Sequence, residues 1–197
     1  MDDQGRTRRS AGLIPVFDLD GTLLDSDAAL VEPFLALGVQ SEEITFGHTL
    51  EEECCRLGID LDAYLDRYDD AAAGPFPGVA ELVGTLDRWA VCSNKHPRPG
   101  RAELARLGWT PEVALFADAF GGPKRLGPVL DALGATGEQV LFVGDTSHDR
   151  RCAAVVGCPF VLAGWNSRAA AAPGDLVAAY PADVSGYLGR PGAVASS

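Results

Sequence analysis

Four short apolar runs punctuate the chain: Leu13 to Phe17, Trp89 to Cys92, Val140 to Val143 and Phe160 to Ala163. Each is followed at once by turn-forming or polar residues. Runs of this length without polar alternation suit strands buried on both faces. Between them apolar positions recur at helical spacing over Gly78 to Leu86, Pro99 to Leu107, Leu126 to Leu133 and His148 to Val156. Strands of this kind alternating with helices predict a parallel sheet in an α/β fold. One stretch departs from the pattern. Residues 27–77 offer no convincing strand. Ala28 to Leu37, Glu42 to Leu57 and Leu61 to Ala72 read instead as two to three helices, closed by the breaker Gly74-Pro75-Phe76-Pro77-Gly78.

Charge sharpens that division. Asp27 to Pro77 carries twelve acidic residues against Arg56 and Arg67, so −10 of the chain's net −12 lies there. A shift of this size marks an inserted module. The expected organisation is a core built from residues 11–26 and 78–188 around an insert at 27–77, with flexible ends at 1–10 and 189–197. The acidic balance argues against a nucleic-acid partner, which would need a basic stripe. The longest apolar runs fall far short of the ~20 residues of a membrane span, and Leu13 to Phe17 is too short for a secretory leader. Five cysteines, an odd count without C-x-x-C spacing, suit reduced thiols in a cytoplasm. The chain carries no signal for an oligomeric state.

Polar clusters follow the apolar runs where open α/β sheets keep their sites, at the carboxyl ends of the strands. The first is Asp18-Leu19-Asp20-Gly21-Thr22. In extended chain, positions i and i+2 face the same way, so Asp18 and Asp20 can share one site, and Gly21 lets the backbone turn away. Two such carboxylates can divide labour, one attacking and one handling a proton. Ser93-Asn94-Lys95 forms the second cluster and Gly121-Gly122-Pro123-Lys124-Arg125 the third. Gly144-Asp145-Thr146-Ser147-His148-Asp149 is the fourth. Four carboxylates converging on one crevice would repel unless a hard cation joined them, and an oxygen-only donor set fits Mg²⁺. Taken singly the clusters say less. Asp-Gly is ordinary turn chemistry, and a serine after a strand is often a helix cap.

The run Asp18-Leu19-Asp20-Gly21-Thr22-Leu23-Leu24-Asp25-Ser26 resembles the first signature of haloacid-dehalogenase-like phosphatases. Ser93 matches the second, Lys124 the third and Gly144-Asp145-x-x-x-Asp149 the fourth, in the family's order and over roughly residues 14–165. A helical insert directly after the first motif is similar to the phosphoglycolate-phosphatase-like subgroup. The resemblance implies a Rossmann-like three-layer core with a central parallel sheet and a small, mobile helical cap. It implies hydrolysis of a small phosphomonoester. Asp18 would attack phosphorus and hold the covalent phosphate, and Asp20 would protonate the leaving alcohol and then activate water. Mg²⁺ would sit on the Asp18 carboxylate, the Asp20 carbonyl and Asp145, with Asp149 in support. Ser93 would donate to a phosphoryl oxygen, and Lys124 would neutralise developing charge. Thr22, Asn94, Arg125 and His48 complete the candidate substrate contacts.

Several features qualify the match. Arg125 stands where proline often follows the third-motif lysine, so either Arg125 or Lys124 can fill that role. Only Lys95 and Lys124 are lysines in a chain with sixteen lysines and arginines, which favours Lys124 where a compact charge is wanted. His48 lies where related caps carry a substrate loop, although a lone histidine between helices is more commonly solvated. A dehalogenase would not need Asp20, and a phosphonate hydrolase would need a lysine the insert lacks. A β-phosphoglucomutase-like transferase shares the whole core machinery, and a non-catalytic relative would more readily have lost Asp18, Asp20 or Asp145. The acidity of residues 27–77 predicts a leaving group that is not strongly anionic, provided those charges face the substrate rather than solvent.

Overall fold

A computed structural model of the chain describes residues 12–45 and 49–189. The candidate His48 and the expected loose ends, apart from Gly189, lie outside the described residues. The four apolar runs form strands at Ile14–Phe17, Ala90–Cys92, Val140–Gly144 and Phe160–Ala163, with small differences of boundary. In chain order the elements run β1 (Ile14–Phe17), β2 (Leu24–Asp25), α1 (Asp27–Ala36), α2 (Leu50–Leu57), α3 (Leu61–Leu65) and β3 (Gly74–Pro75). Next come α4 (Val79–Gly84), β4 (Ala90–Cys92), α5 (Pro97–Arg106), β5 (Val113–Leu115) and α6 (Gly127–Leu133). Finally come β6 (Val140–Gly144), α7 (Ser147–Val156), β7 (Phe160–Ala163), β8 (Leu176–Ala178) and α8 (Val184–Leu188).

Six strands make one parallel sheet in the order β5-β4-β1-β6-β7-β8. β1 lies at its centre, with Phe17 opposite Val91 on one side and Val143 on the other. Alternate side chains enter opposite layers, as the pleat dictates. Phe17, Val91, Leu141, Val143 and Val161 pack toward α4 and α8. Val16, Ala90, Cys92, Val140 and Phe142 pack toward α6 and α7. The fold is therefore the three-layer α/β core.

The insert differs in detail from its sequence reading. The helix expected over residues 42–57 is a single 3-10 turn, Ser41–Glu43, followed after a gap by α2. Thr49 starts α2 through a reciprocal cap with Glu52, and Thr45, outside any helix, donates its amide to the Glu53 carboxylate at 2.6 Å. The helix expected to Ala72 stops at Leu65, and Asp69 accepts the Ala71 amide in a turn beyond it. Phe34, Cys54, Tyr64 and Leu65 give the insert its own small core. Gly74-Pro75, expected only to break the chain, pairs antiparallel with Leu24 and Asp25, so the segment's two ends run side by side.

Candidate active site

In strand order the chain leaves β1 for β4 and β5, then returns to fill the other half of the sheet from β6 outward. The reversal at β1 and β6 opens a crevice between their carboxyl ends, and Asp18 and Asp145 directly follow those two strands. The Asp18 amide donates to the Val143 carbonyl at 2.9 Å, which extends the β1–β6 pairing to the site itself. Gly21 makes the turn at φ +77°, and a Cβ there would stand 2.4 Å from an Asp145 carboxylate oxygen, so only glycine fits. Thr22 is buried and donates to Asp145 at 3.1 Å rather than lining the cavity described below. Asn166 donates to the Gly21 carbonyl at 2.8 Å and to Asp145 at 3.0 Å. Asp145 is thereby fixed by two side chains from outside its own loop.

Lys124 sits at the centre of one buried ion cluster. Its Nζ lies 2.7 Å from Asp18 Oδ2 and 2.7 Å from Asp149 Oδ1. The other Asp18 oxygen accepts the Leu19 amide at 2.7 Å, and Asp149 Oδ2 accepts the Thr146 hydroxyl at 2.6 Å. Asp18, Asp145 and Asp149 are all buried, and each brings a carboxylate oxygen to within 4.8 Å of the others. One ammonium among three carboxylates leaves the cluster short of positive charge. Burial, helped by Asp149 and Asp145 and opposed by Lys124, pushes the Asp18 carboxyl up to about 8. Burial and Asp149 push Asp145 up to about 6. Burial would also raise Asp149, but the Lys124 charge and the hydrogen bonds from Lys124 and Thr146 hold it below the usual range. Two carboxyl groups that resist ionisation beside a third, all offering oxygen, suit a hard divalent cation.

A second buried lysine organises the other carboxylate of the first motif. Lys95 Nζ lies 2.7 Å from Asp20, 2.9 Å from Glu103 on α5 and 3.0 Å from the Tyr68 hydroxyl. Tyr68 in turn donates to Glu103 at 2.6 Å. Burial disfavours the Lys95 charge, but Asp20 and Glu103 outweigh it and hold the ammonium above the usual lysine range. Burial keeps Glu103 raised despite Lys95.

Ser93 and Asn94 line the same cavity as Asp18, Asp20, Lys124 and Asp145, and Asn94 accepts the Lys124 amide at 2.6 Å. The third-motif loop is held further by two thiols, with Cys152 donating to the Lys124 carbonyl and Cys92 to that of Arg125. The Arg125 side chain is exposed and does not line the cavity. Lys124, not Arg125, faces the carboxylates. Sequence reasoning left Asn166, Glu103 and Tyr68 without a role. None belongs to a motif, and the only prior signal was the rarity of lysine, which singled out Lys95. The cavity, about 430 Å³, lies between the strand ends and the insert.

Residues 15–163 match the haloacid dehalogenase-like hydrolase family. A phosphoglycolate phosphatase from Mesorhizobium japonicum is 29% identical over 184 residues, spanning 75% of this chain and 81% of that protein. An N-acetylmuramic acid 6-phosphate phosphatase from Pseudomonas aeruginosa is 25% identical, over 68% of this chain and 74% of its own. Among solved structures, a haloacid dehalogenase-like family protein from Streptococcus pneumoniae superposes with a TM-score of 0.73 at 20% identity, covering 90% of this chain and 98% of that one. CbbY from Rhodobacter sphaeroides, in complex with phosphate, gives 0.72 at 20% identity over 88% and 96%. These two likenesses concern the fold. With a family match over most of the core and the motif carboxylates gathered at the switch point of its sheet, the chain belongs to the haloacid dehalogenase-like hydrolases, of phosphoglycolate-phosphatase-like type.

Proposed function

We propose that this enzyme hydrolyses a small phosphomonoester through a phosphorylated Asp18, with Mg²⁺ held by Asp18, Asp145 and the Asp20 carbonyl and supported by Asp149. The observation that carries the reading is the state of Asp18. Its carboxylate is buried, pinned between the Leu19 amide and Lys124, and lines the cavity. A nucleophile locked in one orientation starts near the geometry of attack. Lys124 brings a fixed positive charge to the place where phosphoryl oxygens gather negative charge, and Ser93 adds a hydroxyl on the cavity wall. Asp20, in contact with the Lys95 ammonium, relays a proton from it to the leaving oxygen and later takes one from the water that attacks the aspartyl-phosphate, which restores the pair. A bound divalent ion supplies charge neutralisation of Asp18 and the phosphoryl group. The insert at residues 27–77 acts as the cap that closes over the leaving group.

Phosphate release from a panel of monoesters, with Mg²⁺ and with chelator, tests the reading. Turnover should require the ion. Asp18→Asn should remove it while leaving the circular dichroism spectrum unchanged, and Asp20→Asn should let acid-trapped covalent phosphate accumulate on Asp18. Undiminished turnover by Asp18→Asn would end the proposal.

A further inference from the structure

Opposite the carboxylates, the cavity wall belongs to the insert and its chemistry is different. Leu30, Phe34, Ile44, Leu50 and the Tyr64 ring line it. The polar groups on this side already have partners. The Tyr64 hydroxyl donates to the Leu30 carbonyl at 2.8 Å, and Thr49 caps α2. The Glu53 carboxylate takes the Arg56 guanidinium at 2.7 Å and the Thr45 amide. The cations on the lining are engaged as well. Lys124 and Lys95 each face two carboxylates, and Arg168 is paired with Asp27. Among the described residues, therefore, this wall offers a leaving group mainly carbon, and the polar groups that line it beside that carbon, Asp27, Thr45, Thr49 and the buried Glu53, are already engaged. A carboxylate-bearing leaving group would lose its water there and, among the described residues, meet only cations and a histidine, His96, that already face carboxylates. An apolar one would gain by leaving water. The whole cavity, from the carboxylates to this wall, measures about 430 Å³, within the range of small-molecule sites.

We infer that the substrate is the phosphate monoester of an uncharged, apolar alcohol, with the alcohol seated on Leu30, Phe34, Ile44 and Leu50. The inference rests on the phosphatase reading and specifies its leaving group. The chemistry is unchanged by it: the Asp18 carboxylate bonds to phosphorus as the P–O bond to the alcohol breaks, Asp20 passes a proton to the departing oxygen, and water then breaks the Asp18–phosphate bond and releases phosphate.

The test uses ethyl, butyl and hexyl phosphate, whose alcohols are nearly equal in acidity, together with 2-phosphoglycolate, all with Mg²⁺ and the full-length protein. kcat/KM should rise about two- to fourfold for each added methylene until the wall is covered, and 2-phosphoglycolate should fall at least tenfold below butyl phosphate. A flat or falling alkyl series, or a preference for 2-phosphoglycolate, overturns the inference while leaving the phosphatase reading intact. Release of phosphate from none of the four, while other monoesters of a wider panel are hydrolysed, overturns the inference alone; release from no monoester at all removes that reading with it. Leu50→Arg, which places a cation on the apolar wall, should shift the ratio of 2-phosphoglycolate to hexyl phosphate turnover by about tenfold toward the acid. An unchanged ratio in folded protein counts against the wall's role, and the wild-type alkyl series decides the matter if this variant does not fold.

Discussion

The site contains two buried lysines that do different things. Lys124 joins Asp18 at the end of β1 to Asp149 in α7, so its whole environment is core. Lys95 joins Asp20 to Glu103 on α5 and to Tyr68, which follows the last helix of the insert. Each ammonium contacts two carboxylates, but beside the first a third, Asp145, lies within 4.8 Å of both. The first cluster thus has room for a divalent charge, whereas the second is closer to neutral and is completed by a tyrosine hydroxyl. Under the proposed chemistry, the machinery that binds phosphorus is fixed by the sheet. The machinery that moves the proton is shared with the segment that meets the leaving group.

The sharpest way to break this comparison is to remove each ammonium in turn. Lys124→Met should lower kcat by about 10³-fold on every ester, because it strips the fixed charge from the transition state. Lys95→Met should cost about 10²-fold on alkyl phosphates but far less on p-nitrophenyl phosphate, whose leaving group needs no proton. Equal losses on both esters would show that Lys95 does not act through Asp20.

Metal should separate the clusters next. Without a divalent ion, Asp18 and Asp145 are held up to about 8 and about 6 against an ordinary 3.8. Between those limits the folded state binds more protons than the unfolded one, so stability in chelator should fall as pH rises from 6 to 8. At one fixed Mg²⁺ concentration, a hundredfold the Kd at pH 8, the ion should add about 2.7 kcal/mol at pH 8 and less at pH 6, where protons on Asp18 and Asp145 compete with it. Lys95→Met should keep that response. A chelated protein that gains stability over the same interval would contradict the assignment.

Smaller effects come from the periphery. Tyr68→Phe should lower kcat on alkyl phosphates about three- to tenfold, since one hydrogen bond to a charged partner is lost while Lys95 and Glu103 remain. Arg125→Ala should stay within about twofold in steady-state kinetics, because its exposed side chain touches none of the carboxylates. A larger loss than in Lys124→Met would move the third-motif role to the arginine.

The central strands were legible because they are buried on both faces and so read as unbroken apolar runs. The edge strands β5 and β8 were not. Each is three residues long, and Val113, Leu115 and Leu176 are only partly buried while Val177 is exposed, so no hydrophobic pattern marks them. Asp18, Lys124, Asp145 and Asp149 could be placed from their motifs, since the loops after consecutive parallel strands must meet at one edge. Asn166 and Glu103 could not, because their role exists only through contacts across the fold. Its place in the first motif predicts Thr22 as a substrate contact, but its hydroxyl donates to Asp145. In the insert, a continuous helix was expected where Thr49-x-x-Glu52 carried the signature of a new helix start.

The pairing of Leu24 and Asp25 with Pro75 and Gly74 has a practical corollary. Opposed residues of an antiparallel pair stand about 5 Å apart, so the chain leaves the core and re-enters it at almost the same point. The intervening stretch can then vary in length without shifting a strand of the sheet, provided its ends meet at that spacing and a hydroxyl still reaches Lys95 and Glu103 as Tyr68 does. Recombinants that keep this doorway and import foreign helices should retain the core's fold while changing which alcohols they release.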